Sequence, residues 1–107
     1  MSTYQRKTPL KNDCAIEKAL HVISGKWKPA ILSTLLQHNL RLKDIQQGLP
    51  EASKRALTQQ LGEMLNDGLI QKKDFDVYPK RTEYSITPLG SKLVTVFESL
   101  TEFGENL

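Results

Sequence analysis

The sequence predicts one mostly α-helical domain carrying a single small β-hairpin. Three observations predict it. In five stretches of the 107-residue chain, apolar residues recur at three- and four-residue steps, the repeat of a helix that buries one face. Between Leu69 and Thr87 that repeat gives way to the alternation of half-buried strands. The length suits one domain and leaves no room for a second core.

Residues 1–11 are polar, contain Pro9 and carry Arg6, Lys7 and Lys11 without an acid, so they are expected to form a flexible arm ahead of a domain over residues 12–107. Asn12 or Asp13 can cap a helix that begins near Cys14. Its apolar face is Ile16, Ala19, Leu20 and Ile23, and Gly25 ends it. A second helix starts near Trp27, with Pro29 in the first turn, where a missing amide costs little. Trp27, Ile31 and Leu35 lie four apart, Leu32 and Leu36 sit beside them, and the helix is expected to run to about His38-Asn39. A short third helix covers about Leu42 to Gly48, with Leu42, Ile45 and Leu49 on one side and Pro50 as its break.

The fourth helix runs from Ser53, its N-cap, to about Asp67, with Leu57, Leu61, Met64 and Leu65 inward and Gly68 as the stop. Leu69 to Phe75 and Arg81 to Thr87 read as strands joined by Asp76-Val77-Tyr78-Pro79-Lys80. A last helix, capped by Thr87 with Pro88 in its first turn, carries Leu93, Val96, Phe97, Leu100, Phe103 and Leu107 at helical steps. The third and fourth helices with their tight connection form a helix-turn-helix, and a hairpin directly after it is a wing. The expected architecture is therefore a winged helix-turn-helix, in the order helix, helix, short helix, long helix, two-stranded hairpin, helix.

The net charge is +3, which permits a nucleic-acid partner without requiring one. The charge is uneven. Residues 84–107 set Lys92 against Glu98, Glu102 and Glu105, so the tail does not suit a phosphate backbone. Cys14 is the lone cysteine, which excludes a disulfide within the chain and points to a reducing compartment. No apolar run approaches the roughly 20 residues that span a bilayer, and the N-terminal MSTYQRKTPL lacks the apolar core of a secretory signal. A cytoplasmic protein without a membrane partner is expected. His21 and His38 are far apart and sit in helix patterns, no Cys/His metal spacing or Gly-rich phosphate loop occurs, and no nucleophile stands beside a base. No catalysis, metal or cofactor is expected.

On a helical wheel the outward arc of the fourth helix holds Arg55, Gln59, Gly62 and Asn66, flanked by Lys54 and Thr58. Arginine can fork onto guanine O6 and N7, glutamine can pair with adenine N6 and N7, and threonine can meet a thymine methyl or a phosphate. The N-terminal half, Ser53 to Gln59, is the half that reads bases in a recognition helix, and its amide-rich start favours a phosphate oxygen. Gly62 would let the helix lie close to DNA. A solvated helix face has a similar composition. The short helix before it and the hairpin after it favour double-stranded DNA as the partner. The wing offers Tyr78, Lys80 and Arg81 to phosphates or the minor groove, with Asp74 and Asp76 weakening the patch. Arg41 and Lys43 can hold phosphate from the other side, and Lys26 and Lys28 are weaker candidates. The alternative is a winged helix that binds protein without reading DNA. Against it, the Arg55, Thr58 and Gln59 face lacks the aromatic or aliphatic cluster such a surface needs.

Cys14-Ala15-Ile16 leading to Val22-Ile23-Ser24-Gly25-Lys26-Trp27-Lys28 resembles the HxlR-type regulators. So do Leu49-Pro50 followed by Ser53-Lys54-Arg55-Ala56-Leu57-Thr58-Gln59-Gln60-Leu61, Asp67-Gly68-Leu69-Ile70, and Tyr78-Pro79 followed by Glu83-Tyr84-Ser85-Ile86-Thr87-Pro88-Leu89-Gly90. The similarity covers about Cys14 to Leu100. Ala52 departs from it, standing where a larger aliphatic residue is more usual. The resemblance implies a dimeric bacterial transcription regulator paired through its first and last helices. Ile16, Leu20, Leu93, Phe97, Leu100 and Phe103 would then lie at the homodimer interface. A two-fold pair would set two recognition helices about 34–36 Å apart on a roughly palindromic site. The resemblance also implies a redox or electrophile sensor at Cys14. A helix N-terminus favours thiolate, with Lys11 and Lys18 assisting and Asp13 and Glu17 opposing; a buried structural cysteine is the other reading. With no second cysteine, a disulfide could join only two copies of Cys14. Otherwise oxidation would stop at sulfenic acid or a mixed disulfide. The sequence identifies no inducer.

Overall fold

A computed structural model describes residues 14–79 and 81–107. The expected arm, the capping residues Asn12 and Asp13, and Lys80 lie outside the described residues. The elements are α1 (Ala15–Ile23), α2 (Lys28–Leu35), β1 (Leu40–Arg41), α3 (Leu42–Gly48), α4 (Lys54–Asn66), β2 (Ile70–Phe75), β3 (Arg81–Ile86), α5 (Pro88–Ser91) and α6 (Leu93–Glu105). This is a winged helix-turn-helix, with the expected helices in the expected order.

Helix ends follow local chemistry. The Ser53 hydroxyl accepts from the Ala56 N–H at 3.0 Å, satisfying an amide that the first turn of α4 leaves without a partner. At the other end Gly68 takes φ 78, a left-handed conformation that costs glycine nothing. The Leu69 N–H then returns to the Met64 carbonyl at 3.0 Å, which closes the helix and launches β2. Thr87 caps α5, accepting from the Gly90 N–H at 3.0 Å. The Thr87 hydroxyl also donates to the carbonyls of Gly68 and Leu69, which ties the α5 start to the α4–β2 turn.

Three features differ from the sequence expectation. The hairpin is the larger part of a three-stranded sheet, order β1-β3-β2, because Leu40 and Arg41 pair with Tyr84 and Glu83. Two residues are too few to show alternation, so β1 left no pattern. Helix α2 ends at Leu35, short of His38-Asn39, because the chain must turn to deliver Leu40 to the sheet; Gln37 and His38 both donate to the Thr34 carbonyl in that turn. The last helix is two, α5 and α6, separated at Lys92, whose N–H reaches back only three residues to Leu89. A tight turn of that kind keeps the helical apolar spacing, so the break is silent in the sequence.

The core is Ile23 of α1, Ile31, Leu32 and Leu35 of α2, Leu40 of β1, Ile45 of α3, Leu57, Leu61 and Met64 of α4, and Leu69, Ile70 and Tyr84 near the sheet. Burying each aliphatic side chain contributes about 1.5–3 kcal/mol, so the α2–α4 contact holds the domain together. Leu65, expected inward, lies only half-buried at its edge. Helices α1 and α6 meet this core only through Val22 and Ile23 of the one and Leu93 and Phe97 of the other. Only Ile23 of α1 is buried, and no residue of α6 is. Leu93 and Phe97 lean on the core, whereas Ile16 is 71% exposed and Phe103 64%.

Candidate nucleic-acid interface

Leu57, Leu61 and Met64 anchor α4 by one face, which fixes what the other face presents. Ser53, Lys54, Arg55, Thr58 and Gln59 are all exposed. Lys54, Arg55, Thr58 and Gln59 line one open depression on the first two turns of the helix. A cationic fork and an amide, each a donor of fixed geometry, therefore stand side by side on a surface of convex helix shape. Gly62 continues this face one turn on, and a methyl added there would meet no atom within 4 Å.

The wing pairs Ile70 with Ile86 at its base and Phe75 with Arg81 near its tip. Burial at Ile70 and Tyr84 turns one face of the hairpin inward. On the other face the Arg81 guanidinium lies 4.9 Å from the Phe75 ring centre and the Lys73 ammonium 5.3 Å. Attraction of these cations to the ring limits their wandering and holds positive charge on the hairpin. Lys73 was not among the candidates from sequence; the Lys72-Lys73 pair was the available signal, and only the register shows which lysine joins Arg81. Tyr78 is 98% exposed at the tip. Lys80 lies outside the described residues.

Arg41 and Lys43, expected to hold phosphate from the side opposite the wing, lie beside the wing instead, because β1 pairs with β3. They share a groove of about 630 Å3 with Arg81, walled also by Leu42, Phe75 and Thr82. Arg41 is partly neutralised there, its Nε lying 3.9 Å from Asp44 Oδ2, an oxygen that also accepts the Arg41 backbone N–H at 3.0 Å. Asp74, expected to weaken the wing patch, hydrogen-bonds the Thr82 hydroxyl. Burial, and then the charge of Asp74, push the Tyr84 phenol above its ordinary pKa.

Lys28 is not a phosphate ligand. It is 5% exposed, and its ammonium lies 2.6 Å from Glu63 Oε1. It was a weaker phosphate candidate from sequence, and the packing of α2 on α4 buries it instead. Lys26 is exposed and sits over the Trp27 ring at 5.0 Å. Cys14 is half-buried at the N-cap of α1 and makes no side-chain cap hydrogen bond. Among the described residues no group of three or more His, Cys, Asp or Glu side chains is placed to hold a metal ion, and no helix is long and apolar enough to cross a membrane.

Residues 22–107 match the sequence model of a family described as HxlR-like helix-turn-helix. An HTH-type transcriptional regulator of Methanothermobacter thermautotrophicus is 35% identical over 92 residues, covering 86% of this chain and 70% of that protein. The HTH-type transcriptional regulator YybR of Bacillus subtilis is 31% identical over 106 residues, covering 99% and 85%. Among solved structures, the redox regulator HypR in its reduced form superposes with a TM-score of 0.82 at 30% identity, covering 87% of this chain and 92% of that one. HypR in its oxidised form superposes with a TM-score of 0.81 at 31% identity, covering 88% and 97%.

Proposed function

Since the chain belongs to the HxlR-like helix-turn-helix family of transcriptional regulators, we propose that it binds duplex DNA as a homodimer and reads a roughly palindromic operator through α4. The observation that carries this reading is the exposed group of Lys54, Arg55, Thr58 and Gln59 on a helix whose opposite side is held in the core by Leu57, Leu61 and Met64. Arg55 and Gln59 read base edges. Ser53, Lys54 and Thr58 hold the adjoining backbone. Lys43 and Arg81, with Tyr78, Lys80 and a partly neutralised Arg41, hold phosphates beside the wing.

The apolar residues that α1 and α6 leave in water supply the second half of the proposal. Ile16, Leu20, Leu100 and Phe103 are exposed, and a two-fold partner would cover them. Leu93 and Phe97 already lean on the chain's own core and would back that interface from beneath. The test is fluorescence anisotropy with labelled duplexes under a salt titration. Binding should weaken with a log–log slope near −0.9 for each phosphate neutralised. Salt-independent binding, or none, would overturn the reading and favour the protein-binding alternative. The action is regulatory and involves no catalytic step.

The relation to a redox regulator solved in two oxidation states favours one further element, a sensing role for Cys14. Modification of this thiol, at the start of an exposed helix that would pack on a partner, would disturb the dimer and weaken DNA binding. The two-electron oxidant diamide would join two Cys14 thiols of a dimer, or one Cys14 and a small thiol, releasing both thiol protons to the reduced hydrazine. Diamide should lower operator affinity for the wild type and leave Cys14→Ser unchanged; equal responses would dispose of the sensing role.

A further inference from the structure

The turn between α1 and α2 is fastened to α4 by two polar contacts that the proposed DNA-facing surface does not use. The Trp27 backbone N–H donates to Gln60 Oε1 at 2.9 Å. The Lys28 ammonium meets Glu63 Oε1 at 2.6 Å, with the lysine side chain 6% exposed and the glutamate 47%. Gln60 and Glu63 are three residues apart, so they lie on one flank of α4, between the buried stripe of Leu57, Leu61 and Met64 and the outward arc of Arg55, Gln59 and Gly62. The seat is close. A Cβ on Gly25 would start 3.1 Å from the Lys28 side chain and 3.2 Å from Gln60 Oε1, so any other residue there would press on both contacts and make them give by a few tenths of an ångström.

An apolar stripe holds a helix against a core without fixing its rotation sharply, because burial is non-directional. Hydrogen bonds fall off steeply with angle and distance. A buried ammonium is costly without its carboxylate, so Lys28 and Glu63 must stay together. Base reading needs side chains placed within about half an ångström and 10–20°. We propose that the Trp27–Gln60 and Lys28–Glu63 contacts set the rotation of α4 about its axis, and with it the discrimination between DNA sequences. Gln60, Lys28 and Glu63 are positioning residues for a reading surface they do not belong to. The same turn is the C-terminal continuation of α1, so a displacement of α1 reaches the reading helix through residues 24–28. This inference rests on the DNA-binding reading above.

The experiment uses the full chain and duplexes that the wild type selects from a random library, with scrambled duplexes as control. Gln60→Leu removes the acceptor for the Trp27 N–H, whereas Gln60→Glu keeps an oxygen there. The double variant Lys28→Met/Glu63→Gln removes the ion pair, filling the buried lysine site with an apolar side chain and keeping a neutral polar one at the half-exposed position 63, so that no buried charge is left unpaired. Gln60→Leu and the double variant should lose on the order of tenfold in the ratio of selected to scrambled affinity, with the salt slope unchanged because no phosphate contact is lost. Gln60→Glu should keep the wild-type ratio. A ratio that stays unchanged in both disruptive variants overturns the proposal. So does a parallel weakening of all duplexes in step with a fall in Tm, the mark of a merely structural role. A wild type that does not prefer its selected duplexes overturns the DNA-reading proposal itself, and this one with it.

Discussion

Arg55 and Gln59 stand one turn apart on the exposed face of α4, and their geometry assigns them to base edges under the proposed function. Alanine at either should lower the affinity for a preferred duplex by about 1–3 kcal/mol while scarcely changing that for a scrambled one, so the sequence preference relaxes. Competition binding with point-mutated duplexes checks this, and an equal loss on all duplexes would reassign the side chain to phosphate. Gly62 offers a test in which stability and function should move in opposite directions. A helix-interior glycine costs about 0.5–1 kcal/mol relative to alanine, and the space beyond it is open. Gly62→Ala should therefore raise Tm by a few degrees yet weaken DNA binding if the helix backbone lies close to the duplex. A stabilised variant with wild-type affinity would show that the backbone keeps its distance.

At the scale of elements, the wing is held to the core by Tyr84 and Ile70 and carries its charge on the opposite face beside Phe75. Arg81→Ala should weaken binding to all duplexes alike and lower the salt slope by about 1, measured by the same titration. A change in base preference would make the wing a reader. The wing base also imposes a pH dependence on folding. Burial and Asp74 raise the Tyr84 pKa in the folded chain above the ordinary tyrosine value of about 10. Below that pH both folded and unfolded states keep the phenolic proton. Above it the unfolded chain loses the proton more readily, so this contribution to stability is complete below about pH 10 and declines as pH rises further. Denaturant melts of wild type and Tyr84→Phe at pH 8 and pH 11 check the sign. The phenylalanine variant should lose less stability between them, and equal losses would refute the assignment.

For the whole molecule, the long extent is 53 Å against 31 and 28 Å across, and the described helices at its surface include two that bury almost nothing of their own. A small chain with this much apolar surface left over gains by pairing. Phe103→Glu and Leu100→Glu place a charge on the face that a partner would cover. Each should shift sedimentation from dimer to monomer and lower operator affinity by tenfold or more, since one reading helix then binds without the other. A dimer that persists in both variants would move the interface away from α6.

The one-dimensional pattern settled which segments are helical, the caps at Ser53 and Thr87, the stop at Gly68, and the polar arc of α4, because each of these depends on residues within one or two turns of each other; the cap of α1 is Cys14, not the expected Asn12 or Asp13. Ser53 and Gly68 act locally and are legible from their neighbours alone, as is the capping role of Thr87, though not its hydrogen bonds to the Gly68 and Leu69 carbonyls. What the tertiary structure decided depends on residues far apart in the chain. Leu40 becomes a strand only because Tyr84 lies beside it, Arg41 and Lys43 join Arg81 in one groove only because β1 pairs with β3, and Lys28 leaves solvent only because Glu63 waits on α4. Periodicity records which way a side chain points on its own element. It carries no record of which other element meets it, since that choice is made by the packing of the whole core.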